Sequence, residues 1–274
     1  MSAIVDASRA GWPVLRLSAG DASAELAPTR GGLVTSVRLR GRELLALDEA
    51  TFADGTKNVR GGIPVLFPFA GKPPAGSPFA QHGFARLLPF RVVEREASGE
   101  RAQVSCVLEA SEATAAYPHR FRLTQTLRLS PGLAELQHEV LALSDQVPVH
   151  FGLHPYFAVD VALKAKVRVE AAAPEAYDNL TGRTGPLPAF DFAGELDLHL
   201  KRPARAATAL ELGDGAVLEL DWDATSQALV LWTQPGKPFV CVEPWSDVAL
   251  PLGGAVNTLR TGERVTYRLG LRLR

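Results

Sequence analysis

The chain of 274 residues has only two cysteines, Cys106 and Cys241, far apart and in no metal-type or redox-type pair. That excludes a disulfide framework and points to a reducing compartment. Charge of either sign is barely in excess: the formal net charge is -1. Nothing general therefore draws the protein to nucleic acid or to an anionic membrane. No stretch approaches the roughly 20 apolar residues that span a bilayer. The first twenty residues carry Asp6, Arg9 and Arg16 and no continuous apolar run, unlike a secretory leader. A cytoplasmic protein is the expectation. Long helical periodicity is scarce, and internal repeats, low-complexity tracts and a clear interdomain linker are lacking.

What the chain has is two-residue alternation. Val265, Tyr267, Leu269, Leu271 and Leu273 alternate with Thr266, Arg268, Gly270, Arg272 and Arg274, the mark of a strand with one buried face. Phe121–Ser130 repeats the pattern. Ser130-Pro131-Gly132 then turns the chain into a second strand over Leu133–Leu143. Further strand-like runs are Val14–Leu17, Leu33–Leu39, Ala102–Leu108, Val217–Leu220, Leu229–Thr233 and Phe239–Val242. The 24 glycines and 20 prolines are scattered as punctuation between short elements. Ala171–Pro188 reads as a long surface loop. The expected architecture is one antiparallel all-β domain over residues 1–274, a sandwich or a barrel.

Three segments concentrate chemically useful side chains. In an extended Val149–Phe157, Val149, Phe151, Leu153 and Phe157 face one way. His150, Gly152, His154 and Tyr156 face the other, and Gly152 would leave room for a ligand near the backbone. Phe239–Val242 is apolar throughout, so its strand is buried on both faces. Glu243 follows it, beside Trp245, with Pro244 tending to end the strand. A carboxyl at the rim of a dry sheet either has its pKa raised, as a general base requires, or pairs with an arginine at the strand end, and the pattern leaves both open. The third segment joins Arg60-Gly61-Gly62-Ile63-Pro64 to Gln81-His82-Gly83-Phe84-Ala85-Arg86. Hydrogen-bonding groups beside an aromatic ring suit a sugar, with its hydroxyl rim and apolar C–H face. His82, His150 and His154 match no standard metal-ligand spacing.

Four of these stretches, Arg60–Pro64, His82–Arg86, His154-Pro155-Tyr156-Phe157 and Val242-Glu243-Pro244-Trp245, resemble in sequence and in order the aldose 1-epimerase, or galactose mutarotase-like, family. Pro251–Glu263 resembles its closing loop. The resemblance implies a large antiparallel β-sandwich of the galactose mutarotase type. It implies an isomerase that interconverts the α and β anomers of a hexose or hexose 6-phosphate. The general acid would be His154 as imidazolium and the general base Glu243 as carboxylate. His82 and Arg86 would bind substrate. Arg60 and Gln81 match the hexose-6-phosphate branch, where arginines hold the phosphate. Phe67-Pro68-Phe69 and His154-Pro155 depart from that branch. An additional hydroxyl-binding acid has Asp178 and Asp191 as candidates. The implied partner is a small sugar or sugar phosphate, with no cofactor, no metal, no nucleic acid and no membrane. Two other classes stay open at this point: a non-catalytic carbohydrate-binding sandwich, and a glycosidase or lyase. A glycosidase needs a second carboxyl flanking the bond.

Overall fold

The computed structural model describes residues 1–73, 75–248 and 257–274. The residues 251–256 of the family-like closing loop lie outside the described residues; Asn257 begins the short strand that follows. Three antiparallel sheets make up most of the structure. The first is a meander of β1 (Ser2–Arg9), β2 (Trp12–Ala19), β3 (Ala22–Ala27), β4 (Leu33–Leu39) and β5 (Arg42–Glu43). The second contains β7 (Arg91–Ser98), β8 (Arg101–Glu109), β9 (Phe121–Ser130), β10 (Leu133–Ala142), β14 (Arg168–Val169), β18 (Ala207–Glu211), β19 (Val217–Trp222) and β23 (Arg264–Leu273). Its order is β14-β18-β19-β23-β10-β9-β8-β7.

The third sheet positions the site. It contains β6 (Val65–Leu66), β12 (Gly152–Leu153), β15 (Ala176–Asp178), β16 (Arg183–Gly185), β17 (Leu196–Lys201), β20 (Ala228–Thr233) and β21 (Phe239–Trp245). Its order is β16-β15-β17-β20-β21-β12-β6, and β13 (Tyr156–Ala158) also pairs with β21. The expected loop at Ala171–Pro188 is therefore partly a hairpin, β15–β16, in which Tyr177 pairs with Thr184. Its Ala, Pro and Gly content hid two strands of only three residues each.

Alternation sets the core. In β10, Ala134, Leu136, His138, Val140 and Ala142 are buried while the residues between them are half-buried. β9 and β10 join through Pro131-Gly132, with Gly132 at φ 68 as a tight turn requires. Leu127, Leu136, Leu269 and Leu271 of the second sheet share one apolar cluster with Leu198, Leu231, Val240 and Val242 of the third. Two sheets whose apolar faces meet in this way are a β-sandwich.

β21 is buried at all seven positions. One face, Val240 and Val242, packs in the core. The other, Cys241, Glu243 and Trp245, lies under the cleft described below. Pro244 does not end this strand: it pairs with Leu229 of β20, and pairing continues to Trp245. The proline is accommodated because pairing on the other side of β21 is interrupted there. β13 pairs only up to Cys241 and β12 only at Trp245. The chain between β12 and β13 is His154-Pro155, so the interruption falls where His154 and Glu243 meet.

Candidate active site

The outer face of the third sheet is a lattice of side chains in register. Tyr177, His199, Val230 and Glu243 form one row across β15, β17, β20 and β21. Asp197, Trp232, Cys241 and Tyr156 form the next. On the other side of Glu243, Ala228, Trp245 and Gly152 align. Over this face lies a cleft of about 490 Å³, closed at its sides by the Arg60 and Gln81–Arg86 loops.

All six side chains singled out in the sequence, Arg60, Gln81, His82, Arg86, His154 and Glu243, line that cleft. His154 Nδ1 lies 3.4 Å from Glu243 Oε1. This is ion-pair distance without hydrogen-bond geometry, and Nδ1 has no hydrogen-bond partner among the described residues. The imidazole stacks on Tyr156 at 4.6 Å between centroids and 7° between planes. Its backbone N–H donates to the Pro64 carbonyl, and that of Tyr156 donates to Gly62. The glycine-proline loop that carries Arg60 is thus stitched to the histidine strand. Gly61 and Gly62 are required for this, since a Cβ on either would stand 2.5 or 2.4 Å from a backbone oxygen of Ala46 or Val34.

Glu243 is 1% exposed. Trp245 Nε1–H donates to its Oε2 at 3.1 Å. Burial raises the Glu243 pKa well above its ordinary range, and nearby Asp197 pushes in the same direction. Burial pushes His154 down to about 3, with the Arg86 charge adding to the effect. The directions differ from a simple imidazolium and carboxylate at rest. Each group is driven toward its neutral form, because a dry site penalises either charge.

Gly152 does not leave room for a ligand. A Cβ there would lie 2.6 Å from Trp245 Cδ1, so the glycine makes space for the indole that holds Glu243. His150 also departs from the extended pattern. It does not line the cleft, and its Nε2–H donates to the Asp247 carbonyl oxygen at 3.1 Å. The break between β11 (Val147–Val149) and β12 turns it away.

His82 sits at φ 68, followed by Gly83 at φ 65. The Gly71 N–H donates to His82 Nδ1 at 3.0 Å, which leaves the ring proton on Nε2. That nitrogen is 3.2 Å from Gln81 Nε2, so the Gln81 amide is turned over to offer its oxygen as the acceptor an Nε2–H requires. Burial holds the His82 pKa well below its usual range, with His154 and Arg86 contributing. Arg86 Nη2 donates to the Gln81 carbonyl at 2.8 Å, and its buried Nε has no partner among the described residues.

Sequence reading missed Asp197 and His199. Both line the cleft; His199 Nε2 is 3.1 Å from Asp197 Oδ1, and Asn179 Nδ2 donates to Asp197 Oδ2 at 2.7 Å. Their signal was present as alternation, with Leu196, Leu198 and Leu200 inward and the two polar residues outward. Asp178 and Asp191 instead cap their own turns, accepting from Leu180 and Ala193 backbone N–H groups, and neither lines the cleft. Among the described residues, donor atoms of His154, Cys241 and Glu243 lie within 4.8 Å of one another, a group with the chemistry to hold a cation.

The family model described as aldose 1-epimerase matches residues 13–257. A Cenchrus ciliaris protein named "Putative glucose-6-phosphate 1-epimerase" is 30% identical over 271 residues, 88% of this chain and 78% of its own. A Salmonella typhimurium protein of the same name is 31% identical over 110 residues, 40% of this chain and 36% of that protein. The chain thus matches little more than a third of that bacterial relative's length. Among solved structures, a galactose mutarotase-like protein from Clostridium acetobutylicum superposes with a TM-score of 0.84 at 16% identity, covering 100% of this chain and 98% of the other. At that identity the likeness concerns the fold.

Proposed function

Because the chain belongs to the aldose 1-epimerase family, we propose that it is a mutarotase whose cleft interconverts the anomers of a hexose 6-phosphate, with His154 as acid and Glu243 as base. The observation that carries this reading is the buried pair itself, 3.4 Å apart at the cleft floor.

Ring opening needs a proton removed from the anomeric hydroxyl and a proton delivered to the ring oxygen. The C1–O5 bond breaks, the aldehyde turns, and closure on its other face reverses both transfers. Opening takes the pair from imidazolium and carboxylate to imidazole and carboxylic acid. One proton is present throughout. Burial favours the neutral arrangement, which is the one that accompanies the open aldehyde. A dry site therefore lowers the open-chain state relative to the closed one, where the ion pair must exist. Each positioned proton transfer contributes about 10²–10⁴-fold. The Trp245 N–H steadies the carboxylate form of Glu243. Tyr156 stacking holds the imidazole plane. Asp197, held by His199 and Asn179, offers an acceptor for sugar hydroxyls.

The phosphate part rests on three cations at the cleft, Arg60, Lys72 and Arg86. None of the ion pairs among the described residues involves them, and Asp54, the nearby carboxylate, pairs with Lys57 at 3.3 Å. Guanidinium groups that line one cleft and are paired with no carboxylate suit a phosphate, which accepts two hydrogen bonds from each. The names of the two relatives support the same choice. The test is NMR exchange between anomeric protons with glucose, galactose and glucose 6-phosphate in parallel. The expected result is acceleration, strongest for the phosphate. Exchange at the spontaneous rate for all three would overturn the mutarotase reading, and equal acceleration would overturn the phosphate part.

A further inference from the structure

Cys241 has no part in the mechanism above, yet it stands in the row beside Glu243, between Trp232 and Tyr156. It is fully buried. Its Sγ, a His154 ring nitrogen and a Glu243 oxygen lie within 4.8 Å of one another. We infer that these three side chains form a binding site for a thiophilic divalent cation of the Zn²⁺ class, which shuts the enzyme off by occupying its acid and base.

The geometry is close to what such an ion requires. Zn²⁺ takes sulfur at about 2.3 Å and nitrogen or oxygen at about 2.0–2.2 Å in a tetrahedron, so its ligand atoms sit roughly 3.3–3.6 Å apart. His154 Nδ1 and Glu243 Oε1 already stand at 3.4 Å. The sulfur stands within 4.8 Å of both, so it needs to close a gap of about 1.5 Å at most, within reach of a side-chain rotation. Mixed sulfur, imidazole and carboxylate donors favour zinc over magnesium or calcium, which prefer oxygen. Charge also balances. One thiolate and one carboxylate neutralise a divalent ion, so no net charge is buried. On binding, the thiol proton and the single proton of the His154–Glu243 pair leave to solvent, and nothing is oxidised or reduced. The fourth position faces the cleft, where water or a sugar hydroxyl can complete the shell. His154 and Glu243 line the cleft, so the ion enters by the path the sugar uses and competes with it.

The cation site rests on the donor geometry, while its effect on the enzyme rests on the proposed acid and base roles of His154 and Glu243. The test is binding of Zn²⁺ to the full chain, measured by competition with a chromophoric chelator, for wild type, C241S, C241A and C106A. Co²⁺ replaces zinc in a parallel absorption measurement. Wild type and C106A should bind one Zn²⁺ per chain with equal affinity. C241S and C241A should bind at least about tenfold more weakly, as loss of a ligand demands. Cobalt-loaded wild type should show a thiolate-to-cobalt charge-transfer band in the near ultraviolet. Zinc affinity unchanged in folded C241S would overturn the proposal. Should both Cys241 variants fail to fold, the cobalt spectrum decides, and a wild-type complex without the thiolate band overturns it. Mutarotation absent in every preparation would sink the functional reading and leave the cation site standing.

Discussion

Two concavities on this molecule invite comparison, and the larger is the less informative. A groove of about 750 Å³ lies along β18, β19 and β23. Its ionisable side chains are exposed or half-buried, and several are paired with each other. Arg272 meets Asp221 at 2.8 Å, and Arg274 pairs with Glu219. The cleft over β21 is smaller, about 490 Å³, but His82, His154, His199 and Glu243 around it are each less than a tenth exposed. Surface ion pairs are worth little and tune nothing. Buried titratable groups have displaced proton affinities, and those make proton-transfer chemistry possible. Water access distinguishes the two regions better than volume does.

The comparison is broken most severely by His154→Asn. Removing the proposed acid should cut anomer exchange at least about 10²-fold, while Glu219→Gln in the larger groove should leave it unchanged. Steady-state NMR exchange rates would check both. The pH profile belongs to the same contrast. The active pair carries one proton. A second is taken up only where His154 titrates, pushed down to about 3, and the proton is lost only above the ordinary carboxylate range, where Glu243 titrates. Activity should therefore follow a broad bell, with no loss as pH falls through 6.5. An acid limb at 6.5 would show that His154 is not held neutral.

A tenfold effect comes next. Arg60→Ala should raise KM for hexose 6-phosphate about tenfold, because a lost charged hydrogen bond is worth about 1.5–3 kcal/mol, and leave free hexose unaffected. Equal effects on both substrates would make Arg60 a structural support for the loop. Gly152→Ala places a methyl against the Trp245 ring and should cost about 1–3 kcal/mol of stability. Denaturant titration would read this, and an unchanged midpoint would mean that the indole is free to move.

Linkage gives the smallest and subtlest effect. Glu243 binds its proton more tightly folded than unfolded, so its contribution to stability is full below about 4.5 and is lost as pH rises through the raised value. Glu243→Gln should therefore gain melting temperature relative to wild type as pH rises from about 4.5 toward the raised value. His154 and His138 act in the opposite sense. Both are fully or nearly fully buried and pushed down to about 3. They favour the folded state above their ordinary value of 6.5 and lose that contribution as pH falls.

Much of this is legible in the amino-acid sequence. The strands β9, β10 and β23 announce themselves by alternation, because each has one face in the core and one toward solvent. The apolar run before Glu243 reads as a doubly buried strand, and the structure has it so. Three things were not legible. Pro244 looks like a terminator because sequence cannot show that its neighbours on one side stop pairing just there. Gly152 looks like space for a ligand because sequence cannot show that an indole fills it. Asp197 and His199 sit in a six-residue strand whose partners, β15 and β20, come from distant or very short segments. Only the assembled sheet brings them under the same cleft.

The most direct measurement is the anomer exchange rate of Glu243→Gln, by NMR on the sugar that wild type turns over fastest. The substitution preserves shape and removes the proposed proton acceptor. The account predicts a rate at least about 10²-fold below wild type from a protein that still unfolds cooperatively. Exchange near the wild-type rate from that folded variant would contradict it.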